Sequence, residues 1–562
     1  MKASETTVRN LLEGTKQFQI PLFQRPYSWD KTNWQSLWDD LMSLYWEKVE
    51  GFYFLGPIVT QAVAGTAEGI SPFVVIDGQQ RLTTLTLLLA TLRNHLRQDN
   101  PELADELYEL YLINKFKKGD DLYKVLPTQD DREVYRKIIQ TQDREIEGQG
   151  NIYEAYKFFS ERLTERDPDE DTLIDYAKFK TVVLERLTLV NITSEDRDNP
   201  YLIFESLNYK GQELTQADLV RNYIFMKLPR AQQENVYNDV WLPLQKQFKV
   251  KVGQSKYAEE LTNAFWYYLR KDGQAVNKKN IYQTLKEKFD KLELHSIKSE
   301  LENLTEFANY YQRLNFPDEE PEPRLKHWFK RFLRLDFTTS HIFILNIYHE
   351  YAMGRLSLDN FEKVLSYLES YFIRRLFAGI STRVLGSIFT NLYSQVLQEN
   401  SNDLVSALRN VMLSFNGNKV WTEDDSFRQG IVSKNVYTNS SIDRAKLLLE
   451  RIEETLSKER VDTHTLTIEH IMPQTLTDNW CLMLVENYNN IHKRWLNTLG
   501  NLTLTGYNSE LSNKPFNEKL RYLRDSNVTA NQYFRNVEAW DEQALQKRAE
   551  DLANIAVKVW SR

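Results

Sequence analysis

The sequence predicts an α+β protein that is predominantly helical, and three observations carry that expectation. Helical periodicity runs almost unbroken through residues 231–413. The first third interleaves short buried-strand runs with a Leu-rich helix, and the last quarter holds two short alternating runs, Thr465–Ile468 and Asn501–Thr505, with polar helix-start residues after the second. The predicted layout is an α/β domain over 1–230, a helical domain over 231–413 and a strand-strand-helix domain over 414–562.

At 562 residues the chain has room for roughly three or four domains of about 100–200 residues each. A single cysteine, Cys481, excludes a disulfide framework. The opening residues MKASETTVRN hold no apolar signal core and no run approaches a membrane span, so a cytoplasmic protein with no membrane partner is expected. With 79 acidic against 71 basic residues the formal charge is −8, which gives no global attraction to nucleic acid. Any DNA contact must therefore come from local Lys/Arg patches. The 30 Tyr, 28 Phe and 12 Trp are expected mostly in cores.

In the first third, Asp30 is placed as an N-cap, after which Trp34, Leu37, Trp38, Leu41 and Tyr45 fall on one helical stripe. Phe52 to Thr60 and Phe73 to Ile76 read as buried strands. The second runs into Asp77-Gly78-Gln79-Gln80-Arg81 and a helix from Leu82 to Leu96. A helix start presents free N–H groups and positive potential, and Gln79, Gln80, Arg81, Thr83 and Thr84 add side chains that hold phosphate. A capped helix with its arginine in a salt bridge accounts for the same residues, and no P-loop pattern is present. Leu187 to Thr193 reads as a further strand, and Thr215 with Asp218 as a capping box.

Through the helical middle, Phe316 to Pro323 reads as an exposed loop. Arg374, Arg375 and Arg383 are the local candidates for phosphate contacts, with pairing to helix acids as the alternative. The polar stretch Thr422 to Thr438 reads as a join, followed by a Leu-rich helix from Asp443 to Leu456.

The densest chemistry lies between Thr467 and Phe516. A strand ends in Glu469-His470, Pro473 stops it, and Asn501 opens the second strand before a Gly506 turn and Asn508, Ser509 and Ser512. Cutting a phosphodiester needs a base for water and a cation for the phosphate charge. His470 is the natural base, with Asn501 expected to orient its ring. Glu469 and Asn508 supply the oxygen ligands that Mg²⁺ or Mn²⁺ takes. His464 and His492 flank this core, but the His464 to His470 spacing is not the same-face spacing of a helix, and zinc is not favoured. A satisfied strand-end histidine among turn-forming asparagines is the plain structural alternative.

The set E-H-I-x-P-Q, L-G-N-L-T-L, N-S-x-L-S-N and K-P-F resembles the His-Asn-His nucleases of ββα-metal fold, in the variant with Asn in place of the last His. In the first third, I-P-x-F-Q-R-x-Y-x-W and V-I-D-G-Q-Q-R-L-T-T resemble the ParB-like nucleotide-hydrolysing domain of GmrSD-type, modification-dependent (type IV) restriction enzymes. That resemblance implies a nucleotide site at Gln24, Arg25, Asp77, Gly78, Gln79, Gln80, Arg81 and Thr84, where Asp77 either helps to hold the nucleotide's Mg²⁺ or positions water. It continues through Tyr123 to Arg132 and through Ile203 to Asn222, where Glu205, Asn208, Asp218, Arg221 and Asn222 touch nucleotide or are architectural.

The resemblance implies a metal-dependent DNA endonuclease regulated by a nucleoside triphosphate, GTP, ATP or another, and directed against phage or foreign double-stranded DNA by its modification. A second copy of the chain is the candidate protein partner. The rival from another class is a nucleotide-dependent anti-phage regulatory or DNA-binding protein with a non-catalytic nuclease fold.

Overall fold

Six strands of the N-terminal third form one mixed sheet: β1 Lys2–Thr7, β2 Lys16–Gln19, β3 Tyr53–Ala62, β4 Ser71–Asp77, β5 Val125–Leu126 and β6 Leu187–Ser194. Their order is β1-β6-β3-β4-β2-β5. β1 with β6 and β3 with β4 are antiparallel; β3 with β6 and β2 with both β4 and β5 are parallel. This computed structural model describes residues 2–63, 69–141, 147–166, 173–194, 214–253, 256–438, 441–457 and 461–562. The chain divides into two units, residues 1–246 with 285–301, and residues 247–284 with 302–562. Helices outnumber strands in both, so the fold is α+β and predominantly helical. Among the described residues no helix is long and apolar enough to cross a membrane.

The first unit is organised by two helices, α1 Lys31–Tyr45 and α2 Gln79–Asp99. Asp30 caps α1 by accepting from the N–H of Thr32 and Asn33, and the predicted stripe Trp34, Leu37, Trp38, Leu41 and Tyr45 is buried. Burying each such side chain is worth about 1.5–3 kcal/mol. α2 is buried on every face from Leu82 to Leu96, as expected of a central helix. Its Arg93 is fully buried, donates to the carbonyls of Ile138, Ile139 and Thr141, and is pushed down to about 10 by burial. One guanidinium thus satisfies carbonyls at the end of the helix Gln129–Gln140.

The second unit stacks helices against a two-stranded ribbon. The elements used below are α3 Leu358–Phe377, α4 Asp424–Ser433, β7 Thr467–His470, β8 Leu502–Thr505, α5 Asn508–Leu511, α6 Phe516–Arg524 and α7 Glu542–Val559. α4 lies inside the stretch expected as a polar join. Phe427 and Ile431 bury its inner face, and a Cβ on Gly430 would stand 2.5 Å from the Phe377 carbonyl oxygen, so only glycine lets it sit on the end of α3. The loop Phe316 to Pro323 is exposed as expected at Asp318, Glu319, Pro321 and Pro323, with Pro317 and Glu320 turned inward. Glu320 is buried and accepts from the Tyr348 hydroxyl at 2.8 Å and the Glu322 N–H at 2.9 Å.

Arg374 and Arg375 are not available to DNA. Both are buried on α3: Arg374 donates to the carbonyls of Trp560 and Thr422 and pairs with Asp424 at 2.8 Å, and Arg375 holds the carbonyls of Asn418, Val420 and Ser381. Only Arg383 of the three is exposed. A guanidinium carries five donors, which makes it as good at closing helix ends and loops as at binding phosphate, and sequence does not separate the two.

Candidate functional site

β7 and β8 pair antiparallel with Glu469 opposite Thr503 and His470 opposite Leu502, and α5 follows one turn later. The strand-strand-helix expectation is therefore the geometry observed. Alternation along β7 sends Glu469 and His470 to opposite faces, and both are buried, at 5% and 7% exposure.

His470 donates no bond to Asn501. Its Nε2 meets Asn497 Oδ1 at 3.2 Å, and the Tyr437 ring stands edge-on at 4.6 Å between centroids. With the amide oxygen as acceptor, Nε2 carries the proton and Nδ1 keeps its lone pair. Burial pulls the His470 pKa down, partly opposed by Asn497, so the ring is neutral and able to take a proton.

Asn501 instead has all four of its hydrogen-bonding positions occupied. Oδ1 accepts from Met472 N–H at 2.7 Å and Trp540 Nε1–H at 3.2 Å, while Nδ2 donates to the carbonyls of Met472 at 2.9 Å and Leu496 at 3.0 Å. The ring-orienting role expected of Asn501 falls to Asn497. Their separation of four positions in a turn gave no signal of which would face the imidazole.

Two further residues escaped sequence reasoning. Lys519 on α6 is fully buried, with Nζ 2.6 Å from Glu469 Oε1 and 2.9 Å from the His470 carbonyl oxygen. Burial pushes the Glu469 pKa up and the Lys519 pKa down, each opposed by the other's charge. Arg548 on α7, 1% exposed, donates to the carbonyls of Gly500 at 2.7 Å and Leu502 at 2.8 Å and lies over the Phe534 ring; burial pushes it down to about 10. A lone Lys or Arg on an amphipathic helix looks like any solvated charge. Asn508 is exposed at the start of α5. His492 Nε2 meets the Pro473 carbonyl oxygen at 2.9 Å and His464 is exposed. Among the described residues no three His, Cys, Asp or Glu side chains form a metal-binding group.

In the first unit, β4 delivers Asp77 and Gly78 to the start of α2. Gly78 has φ +92°, and a Cβ there would meet Ile58 Cγ1 at 2.9 Å. Among the described residues no side chain caps α2, and Gln79 Oε1 is buried without a partner. Three of the eight expected residues are framework. Gln24 donates to the carbonyls of Val75 and Ile76, Gln80 Oε1 accepts from Ser28 N–H at 2.8 Å, and Thr84 shares a 2.7 Å bond with the Tyr27 hydroxyl. Arg81 donates to the Pro57 carbonyl and stands 3.9 Å from Asp77, both partly exposed, and Arg25, next to Gln24 in sequence, is half-buried. The structure thus brings Asp77, Gly78, Gln79 and Arg81 together at one helix start. Thr215 caps the helix Gln216–Lys227 by accepting from Asp218 N–H, and Asp218 pairs with Arg221 in the interior at 2.8 Å. Glu205 and Asn208 lie outside the described residues.

Both regions fall inside matches to known families. Residues 8–225 match the GmrSD restriction endonuclease N-terminal domain, and residues 421–555 match the GmrSD restriction endonuclease C-terminal domain. No curated protein matches the chain. A chain built of these two domains is a restriction endonuclease, an enzyme whose substrate is DNA. It belongs to the GmrSD family.

Proposed function

We propose that the enzyme is a nucleotide-regulated, metal-dependent endonuclease that restricts DNA by its modification state, with cutting carried by 414–562, nucleotide binding by 1–230 and a helical domain, 231–413, between them. The observation that supports the cutting site best is His470, a neutral imidazole that follows Glu469 in sequence on the other face of β7, its Nε2 engaged by Asn497 and its Nδ1 without a partner among the described residues. Nδ1 accepts the proton of the attacking water. Glu469 Oε2 and the Asn508 amide oxygen suit a hard, largely hydrated ion such as Mg²⁺ or Mn²⁺, which takes one or two protein oxygens together with substrate phosphate. Such an ion, when bound, offsets charge on the phosphate and the leaving oxygen. Lys519 keeps Glu469 Oε1 and the strand end in place.

For the nucleotide, the uncapped start of α2 supplies N–H groups, Gly78 lets a phosphate approach the backbone, and Gln79 and Arg81 flank it. Gln24, Gln80 and Thr84 hold that frame, while Asp77 takes one of two roles, at the nucleotide's Mg²⁺ or at water. Nucleotide binding or hydrolysis licenses cutting.

The Lys519 ammonium on Glu469 supports a second reading, in which the ribbon keeps its shape for partner contact and no ion is taken up. A plasmid-cutting assay in Mg²⁺ or Mn²⁺ decides. Loss of about 10²–10⁴-fold in rate is expected for His470→Ala; equal cutting by wild type and variant removes His470 from the chemistry, and no cutting by wild type on any of unmodified, methylated, hydroxymethylated, glucosylated or phosphorothioated DNA supports the second reading.

A further inference from the structure

Beside Asn508, side chains from three separate points of the chain form a strip at the surface. Tyr507, the residue before α5, exposes 45% of its surface. Its ring centroid lies 5.5 Å from that of Tyr522 on α6, and the Lys514 ammonium lies 5.5 Å from the centroid of Tyr522. The backbone turns sharply at Ser512, with φ +37°, before Lys514. Lys514 makes no ion pair within 4 Å among the described residues, although its charge reaches the exposed Glu510, and Glu518 is also exposed nearby in sequence. An ammonium held over an aromatic face and in hydrogen-bond contact with no carboxylate keeps its donors for an anion, and a half-exposed tyrosine offers both an apolar face and a hydroxyl.

We infer that Tyr507, Tyr522 and Lys514 form a contact for the backbone of double-stranded DNA next to the scissile position. Lys514, steadied over Tyr522, takes a phosphate, and Tyr507 packs on the adjoining sugar. The contact abuts Asn508 through the chain itself, since Tyr507 precedes it directly. It answers a need set by the formal charge of −8, which leaves DNA engagement to local groups, and by the burial of Arg374 and Arg375. The inference rests on reading Glu469, His470 and Asn508 as the cutting site.

The test uses the full chain and a short, unmodified, fluorescently labelled duplex, with affinity read by anisotropy across a salt series. Lys514→Ala is expected to make the slope of log K against log salt shallower by about 0.9, the share of one phosphate contact. Tyr507→Ala is expected to weaken binding about two- to tenfold at fixed salt with the slope unchanged. Both variants should melt with the wild type, because neither side chain is buried. Wild-type affinity and slope in both, or no binding of the duplex by wild type, overturns the contact. Failure of the cutting-site reading shows separately, as cutting retained by His470→Ala.

Discussion

The side chain of Asn501 pairs with the backbone of Met472 as a neighbouring strand would, accepting from its N–H at 2.7 Å and donating to its carbonyl at 2.9 Å. The main chain joins in, since Ile471 N–H donates to the Asn501 carbonyl at 3.0 Å. The ribbon is thereby extended beyond His470, where Pro473 ends regular pairing. Asn501→Ala leaves both Met472 groups and the Trp540 N–H buried without partners and should cost about 2–5 kcal/mol by urea unfolding. Asn497→Ala should cost little stability but about 10–100-fold in cutting, because it frees the imidazole. The opposite pattern would return ring orientation to Asn501.

Lys519 and Glu469 form a buried pair whose members cannot be removed singly without leaving a charge behind. Lys519→Met should destabilise the second unit by about 3–5 kcal/mol, and Lys519→Met with Glu469→Gln by clearly less. A double-mutant cycle checks this, and additive losses would show that the two do not act as a pair.

Gly78 is fixed by both backbone and space. Gly78→Ala meets a positive φ and the Ile58 and Pro57 backbone, at 3.1 Å each. Strain and overpacking together should cost about 2–4 kcal/mol, seen as a lower melting temperature and, under the proposed function, weaker nucleotide binding by calorimetry. A melting temperature equal to wild type would mean that the strand–helix turn yields more easily than its contacts imply.

His341, fully buried with neither ring nitrogen bonded among the described residues, is pulled down by burial to about 4. The unfolded chain, titrating near 6.5, then binds more protons than the native state between those values. Stability is full above about 6.5 and is lost as pH falls toward 4, by up to ~3 kcal/mol from this group. His341→Leu should flatten that part of the stability-against-pH curve relative to wild type in chemical denaturation at pH 7 and pH 5. Parallel curves would indicate that the imidazole finds water on protonation.

Local patterns carried much of this fold into view from the sequence. The α1 stripe, the strands flanking Gly78 and the ribbon at Glu469-His470 are set by alternation, periodicity and caps, which act between near neighbours. α4 was hidden because only Phe427 and Ile431 bury its face and a glycine takes the place of a third apolar contact. The missed parts of the site are long-range. Lys519 meets Glu469 from fifty positions away, and Asn497 carries no sequence mark because only tertiary packing decides which amide faces the ring. The same ambiguity misassigned Arg374 and Arg375, whose partners are carbonyls that no sequence pattern marks.

The hold of Arg548 on the carbonyls of Gly500 and Leu502 has a consequence in time. A growing chain lengthens by about 5–20 residues per second. His470 and Asn501 therefore leave the ribosome seconds before the guanidinium that braces their turn, and loop closure across that gap has its own entropic cost. The nascent enzyme passes through an interval in which His470 and Asn501 exist but their scaffold is unfinished, and a chain stalled there would be born without an assembled ribbon end.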